Sequence, residues 1–404
     1  MSGNKLGILK SEVESELKKN ILPFWSEKMI DVENGGFFGR IEGNGQVHPL
    51  ADKGCVLNSR VLWTFSSAFR ILKNPVYLKT AERSKDFLLN HFFDKDYGGV
   101  FWLLDYKGNM KDGKKQIYAQ AFAIYALAEY YRATGEDIGL KLAIELFKLI
   151  EKYSYDKKLD GYFEAFSREW GNLDDLRLSE KDANEKKTMN THLHILEAYT
   201  NLYRIWKDDV LNQQLSQLIN VFTDKIVNSK TFNLNMFFDE EWNDKTDLVS
   251  YGHNIESSWL LYEAALVLGD ETIINKVKKI SLRIAEVTKD GLMPDGSMIY
   301  EKFFKSGHID YDRHWWVQAE TVIGFLNAYS LSGKEEFLDI GLNAWSFIYE
   351  HLIDRQNGEW FWSVDKNLKP NLKEDKAGFW KCPYHNSRMC LEIIERQNDP
   401  HFSG

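Results

Sequence analysis

Apolar residues recur at intervals of three and four through five stretches of the chain: 55–72, 117–133, 191–206, 254–269 and 314–333. That period predicts helices, and the small and aromatic residues crowding them predict burial on several faces. Gly135, Gly269 and Gly333 end three of these runs, where a left-handed cap suits glycine. Between them lie equally periodic but more polar segments, such as 139–153 and 337–352, whose single apolar stripe predicts an outer layer.

A short glycine-plus-aromatic motif of strand-like character punctuates the helices. It returns at Gly36, Gly99, Gly161, Asn235, Gly296 and Gly358, so successive copies stand 63, 62, 74, 61 and 62 residues apart. Each interval has room for two helices of about 15–20 residues and their turns. Six copies of a two-helix unit, with no weak linker between them, predict one closed toroid. The expected fold is all-α: a single (α/α)6 barrel of twelve helices, residues 1–404 forming one catalytic domain, with short β-like hairpins between helix pairs. The 74-residue interval predicts an insertion in the fourth unit or its approach.

Composition narrows the function. Sixty acidic side chains against 51 basic ones give a net charge of −9, which leaves no overall basic footprint for nucleic acid. No apolar run approaches a membrane span or the core of a signal peptide. Three cysteines, Cys55, Cys382 and Cys390, are too few for a disulfide scaffold and lack metal-knuckle spacing. These features predict a cytoplasmic protein with reduced thiols, expected to be a monomer, with neither nucleic acid nor membrane as partner. Phosphate-binding and dinucleotide-binding glycine motifs are absent from the sequence. Thirteen tryptophans suit large helix contacts or a site that stacks on the apolar face of a sugar.

In a toroid of this kind the N-termini of the inner helices converge at one mouth. In order, the starts of the buried runs carry Arg60, Tyr118, His194, His253, Trp315 with Trp316, and His385. His192 lies on another face of its helix and reads as structural. His194 and His253 each precede a glutamate by three residues, Glu197 and Glu256, placed to orient an imidazole. The same pairs invite a metal reading, which the neighbouring Arg60 disfavours. A glycoside hydrolase would need two carboxyl groups, for which Glu256, Glu320 and Asp182 are the candidates. That reading leaves the histidines idle. Paired histidines instead suit removal of a proton from a carbon next to a carbonyl and its return on the other face. A histidine base would make the rate fall in acid, below its reference pKa of about 6.5.

The stretch Tyr251-Gly-His-Asn-Ile-Glu-Ser-Ser-Trp259, with Asn190-Thr-His-Leu-His194 before it and Trp315-Trp-Val-Gln-Ala-Glu320 after it, resembles the N-acylglucosamine 2-epimerase superfamily. The segments around Asn58-Ser-Arg60 and Trp380-Lys-Cys-Pro-Tyr-His385 fit the same family, and the resemblance covers essentially the whole chain. It implies a cofactor-free and metal-free epimerase acting on a small sugar, here a β-1,4-linked disaccharide such as cellobiose or lactose. The alternatives within the family are an epimerase of N-acylglucosamine and a mannose isomerase. By the same resemblance His253 and His385 would be the acid/base pair, and His194 would assist ring opening. Arg60 would stabilise the enediolate, and Tyr118, Asn190 and Glu256 would bind hydroxyls, Glu256 also orienting His253. Trp316 and Trp380 would stack on sugar faces, and Asp182 would reach in from a loop.

Overall fold

The computed structural model describes residues 2–398. Their α-helices begin with α1 (Ser2–Glu16), α2 (Cys55–Leu72), α3 (Pro75–Phe87), α4 (Ile117–Thr134), α5 (Asp137–Tyr153) and α6 (Met189–Ile205). The second half adds α7 (Asp209–Val221), α8 (Tyr251–Leu268), α9 (Glu271–Thr288), α10 (Trp315–Ser332), α11 (Glu335–Phe347) and α12 (Tyr384–Asn398). The even-numbered helices pack side by side in chain order, and α12 returns to α2. The odd-numbered helices lean on them from outside, with α1 resting on α12. This is the expected (α/α)6 barrel of twelve helices. The two layers differ in burial as the patterns predict. Every residue of α4 from Ile117 to Tyr130 is buried, whereas α5 buries only Gly139, Ala143, Leu146, Phe147 and Ile150.

Gly135, Gly269 and Gly333 adopt the left-handed conformation that ends α4, α8 and α10. Each inner helix except α12 follows directly on a short strand, and the strand of each unit pairs antiparallel with one from the neighbouring unit. Lys53–Gly54 meets Leu103–Leu104, Lys115–Gln116 meets Ala165–Phe166, and Lys187–Thr188 meets Phe237–Phe238. The series closes where Asp375–Ala377 pairs with Ile41–Glu42 from the first unit. The extra residues of the long interval occupy 167–186, directly before the strand leading into α6. The corresponding segments 43–52, 105–114 and 365–374 are half that length.

A buried lysine–aspartate pair holds four of the six turns of the glycine motif. Lys53 reaches Asp31 at 2.8 Å, Lys115 reaches Asp94 at 2.8 Å, Lys187 reaches Asp156 at 2.7 Å, and Lys376 reaches Asp354 at 2.7 Å. The aspartates also accept backbone N–H groups of their own turns, as Asp31 does from Glu33 and Asn34. In the fourth unit Asn228 and Val249 stand where the aspartate and lysine would be. Both charges are lost together there, as expected when a lone buried charge is far dearer than none. At the opposite end of the barrel, Arg70 bridges Glu129 and Glu395, and Arg132 joins Glu129. Arginines at helix C-termini also suit the helix dipole. Among the described residues no helix is long and apolar enough to cross a membrane.

Candidate active site

The inner helices are registered by a polar side chain one turn into each. Gln120 bonds both N–H and C=O of Val100, and Gln318 does the same to Met298, all at 2.8 Å. Asn254 accepts from the Leu234 N–H at 3.0 Å. His192 is the counterpart in α6: Nε2 accepts from the Tyr162 N–H at 2.9 Å and Nδ1 faces the Thr188 carbonyl. It is a latch between helix and hairpin. Burial lowers its pKa to about 4, which keeps it neutral.

Two residues beyond the latch, each inner helix sends a side chain into the lumen: Arg60, Phe122, His194, Glu256, Glu320 and Arg388. Arg388 is fully buried and is the hub of the floor. It donates to Glu256 and Glu320 at 2.6 Å each, and also to Glu197 and the Tyr384 hydroxyl. Arg60 is its opposite. Its Nη2 donates to the Tyr118 hydroxyl at 2.7 Å, and its guanidinium lies over Phe122 and Tyr384 at 4.2 and 4.7 Å. Among the described residues no carboxylate pairs with it, although only 3% of it is exposed.

Three histidines face the same space. His194 Nδ1 bonds Glu197 at 3.0 Å, and His385 Nδ1 bonds Glu320 at 2.7 Å. His253 Nδ1 meets the Ser250 hydroxyl at 2.8 Å. Glu256 therefore does not orient His253, contrary to the i, i+3 expectation. Arg388 draws that carboxylate to the floor, where it stands 3.8 Å from His385 instead. Burial lowers His194 to about 4 and His253 to about 3. Burial, with Arg60 and Arg388 beside it, sends His385 well below the usual imidazole range. Burial thus disfavours the charged form of all three, so a histidine base here would lose its activity at lower pH than a free imidazole. Burial and neighbouring Glu320 raise the carboxyl of Glu256.

Tryptophans frame the mouth. Trp316 is buried and lies between His253 and His385, with ring centroids 4.8 and 5.5 Å away. Trp380 is half-buried, its indole against Phe379, Trp102 and Tyr118. Asn190, one turn before His194 on α6, has a buried Oδ1 with no hydrogen-bond partner among the described residues. Asp182 lies on the 167–186 segment, accepting from the backbone and hydroxyl of Ser179 at 2.9 Å. Its charge is close enough to act on Tyr300 and Glu301 of the fifth unit. Arg60, Tyr118, His194, His253, Glu256, Trp316 and His385 converge, and Trp380 flanks them. Asp182 lies beside Tyr300, whose ring packs on Trp316 at 6.2 Å.

Glu256, Glu320 and His385 offer donor atoms within 4.8 Å of one another, a spacing fit for a metal ion. The Arg388 guanidinium already bonds both carboxylates, so a cation does not fit. The same bonds turn the two carboxylates away from the role of a hydrolase pair. Arg388 itself was missed in the sequence. Counting the inner helices in one register would have found it, because it is the α12 counterpart of Arg60.

Fold and site together define an (α/α)6 barrel enzyme with a buried lumen lined by histidines, glutamates and arginines. The chain belongs to the N-acylglucosamine 2-epimerase family, whose model matches residues 36–388. It is 54% identical over 387 residues to a cellobiose 2-epimerase of Bacteroides fragilis, covering 96% of this chain and 99% of that one. A cellobiose 2-epimerase of Dictyoglomus turgidum is 41% identical, with 97% and 99% covered. The solved structure of cellobiose 2-epimerase from Bacillus thermoamylovorans superposes with a TM-score of 0.92 at 43% identity, over 96% of this chain and all of that one.

Proposed function

We propose that the protein inverts C2 of the reducing-end glucose in β-1,4-linked disaccharides, converting cellobiose to glucosyl-mannose and lactose to epilactose. The observation that carries this reading is Arg60, a buried guanidinium that pairs with no carboxylate among the described residues, beside His194 and His385. Such a charge suits a ligand that becomes anionic only as it reacts. The sugar ring opens with His194 handling the proton between O5 and O1. One of His253 and His385 takes the C2 proton through Nε2, and the electron pair moves onto the carbonyl oxygen to give a cis-enediolate. Arg60, which cannot deprotonate, holds that oxyanion with the Tyr118 hydroxyl. Rotation about C2–C3 presents the other face. The second histidine, protonated from solvent beside the anionic enediolate, gives its Nε2 proton to C2; the first histidine releases its proton to solvent, and the ring closes. Asn190 and Glu256 bind hydroxyls, and Trp380 and Trp316 bracket the sugar faces. No metal or nicotinamide takes part, since Arg60 supplies the electrophile.

Incubation with cellobiose in deuterated water tests the scheme. The expected product is glucosyl-mannose with one deuterium at C2. Free glucose would identify a hydrolase, and product without solvent deuterium would identify hydride or internal proton transfer; either result overturns the proposal.

A further inference from the structure

The three funnel histidines are not held alike. Carboxylates back His194 and His385, and an ionised carboxylate can only accept a hydrogen bond. Both rings are therefore tied to one tautomer, with the proton on Nδ1 and a bare Nε2 facing the lumen. His253 has a hydroxyl instead, which can accept or donate.

That hydroxyl belongs to Ser250, at the N-cap of α8. A serine there ordinarily accepts from helix N–H groups, yet no such bond forms. Thr188, at the equivalent position before α6, does cap its helix, accepting from the Thr191 N–H at 3.2 Å. Ser250 is 1% exposed, and its strand is registered against the next hairpin, with Ser250 opposite Glu301. A side chain placed to cap a helix is thus turned onto an imidazole ring, while its backbone is fixed by the sheet.

Building on the epimerase reading, we propose that Ser250 is the positioning residue of His253, its hydroxyl holding the ring with Nε2 toward C2 of the sugar in either tautomer. A carboxylate could not follow the ring between tautomers; a hydroxyl does so by rotating its hydrogen. The ring then needs no turn between its roles as acceptor and donor.

Ser250→Ala should lower kcat for cellobiose roughly 3- to 10-fold, the worth of one orienting hydrogen bond. KM should change less than about twofold, because binding is not what the bond supports. The isotope effect on kcat with C2-deuterated cellobiose should rise, as proton transfer becomes the slower step. Ser250→Thr keeps the hydroxyl and should keep most of the rate, and Ser250→Ala should melt within about 4 °C of the wild type, because one buried hydrogen bond and no helix cap is lost. Wild-type kcat and isotope effect in Ser250→Ala, or a Ser250→Thr as slow as the alanine variant, would overturn the assignment. His253→Asn is measured alongside. If it still epimerises, the histidine mechanism itself fails. If it is inactive while Ser250→Ala is unaffected, the positioning role alone fails.

Discussion

Replacing Arg388 by Met removes the one cation from a floor that three glutamates share. The side chain is fully buried and donates to Glu256 and Glu320 at 2.6 Å and to Glu197. Removing one partner of a buried pair ordinarily destabilises by about 3–5 kcal/mol. With an unfolding entropy of about 2.1 cal/mol/K per residue over 404 residues, that corresponds to a melting temperature roughly 4–6 °C lower. The loss should depend on pH. Burial pushes Glu197 up, but Arg388 and His194 more than offset it and hold its pKa below the usual value of 4.5. In the wild type that depressed pKa contributes stability above pH 4.5, lost as pH falls further. Without Arg388, burial is opposed only by His194 and Tyr384 and the folded pKa rises, so the variant is penalised wherever the unfolded chain would ionise. The gap between the two proteins should be widest near pH 7–8 and narrow toward pH 5. Thermal melts followed by circular dichroism at pH 5, 6.5 and 8 measure it. A gap that is absent, or equal at all three values, would refute the picture of Arg388 as charge hub.

Trp380→Ala should weaken cellobiose binding by about 1–3 kcal/mol, raising KM roughly 5- to 150-fold while kcat holds; unchanged KM removes the stacking role. The rate per folded molecule should be level from pH 5 to 8, because His194 and His253 charge only near 4 and 3; a limb at 6.5 would show that the base is solvated. Stability should nevertheless fall as pH drops from 6.5 toward 4, since the unfolded chain protonates His192 and His194 while the fold refuses. Melting temperatures that hold level across that window would contradict this. Exhaustive dialysis against a chelator should leave the rate intact, because Arg388 occupies the Glu256–Glu320–His385 cluster; a loss restored by one divalent ion would contradict that.

The barrel was legible because its repeat is long, regular and marked by glycines whose spacing needs no tertiary knowledge. Inner and outer helices separated on burial pattern alone, and the inner starts led to most of the residues that converge. What the sequence hid was partnership. His253 and Glu256 have the same spacing as His194 and Glu197, yet only the latter pair bonds, because Arg388 competes for Glu256 from a helix 132 residues away. Ser250 was equally silent, because its bond to His253 replaces the helix cap its position predicts; the lysine–aspartate posts join residues 21–31 positions apart that no helical or strand period links. Asp182 lies in the one hairpin that breaks the repeat, so no register could place it.

The ring closes on its last unit. Helix α1 rests on α12, and the first hairpin strand waits for Asp375–Ala377. On the ribosome, Glu197 emerges 191 residues before Arg388. At about 5–20 residues per second that is a delay of roughly 10–40 s. Through that interval the nascent chain holds the floor carboxylates without Arg388, the guanidinium that joins all three. Folding of the lumen is thereby a terminal event, and a message broken before its last helix yields no fraction of an enzyme, because His385 and the cation that gathers the floor arrive together.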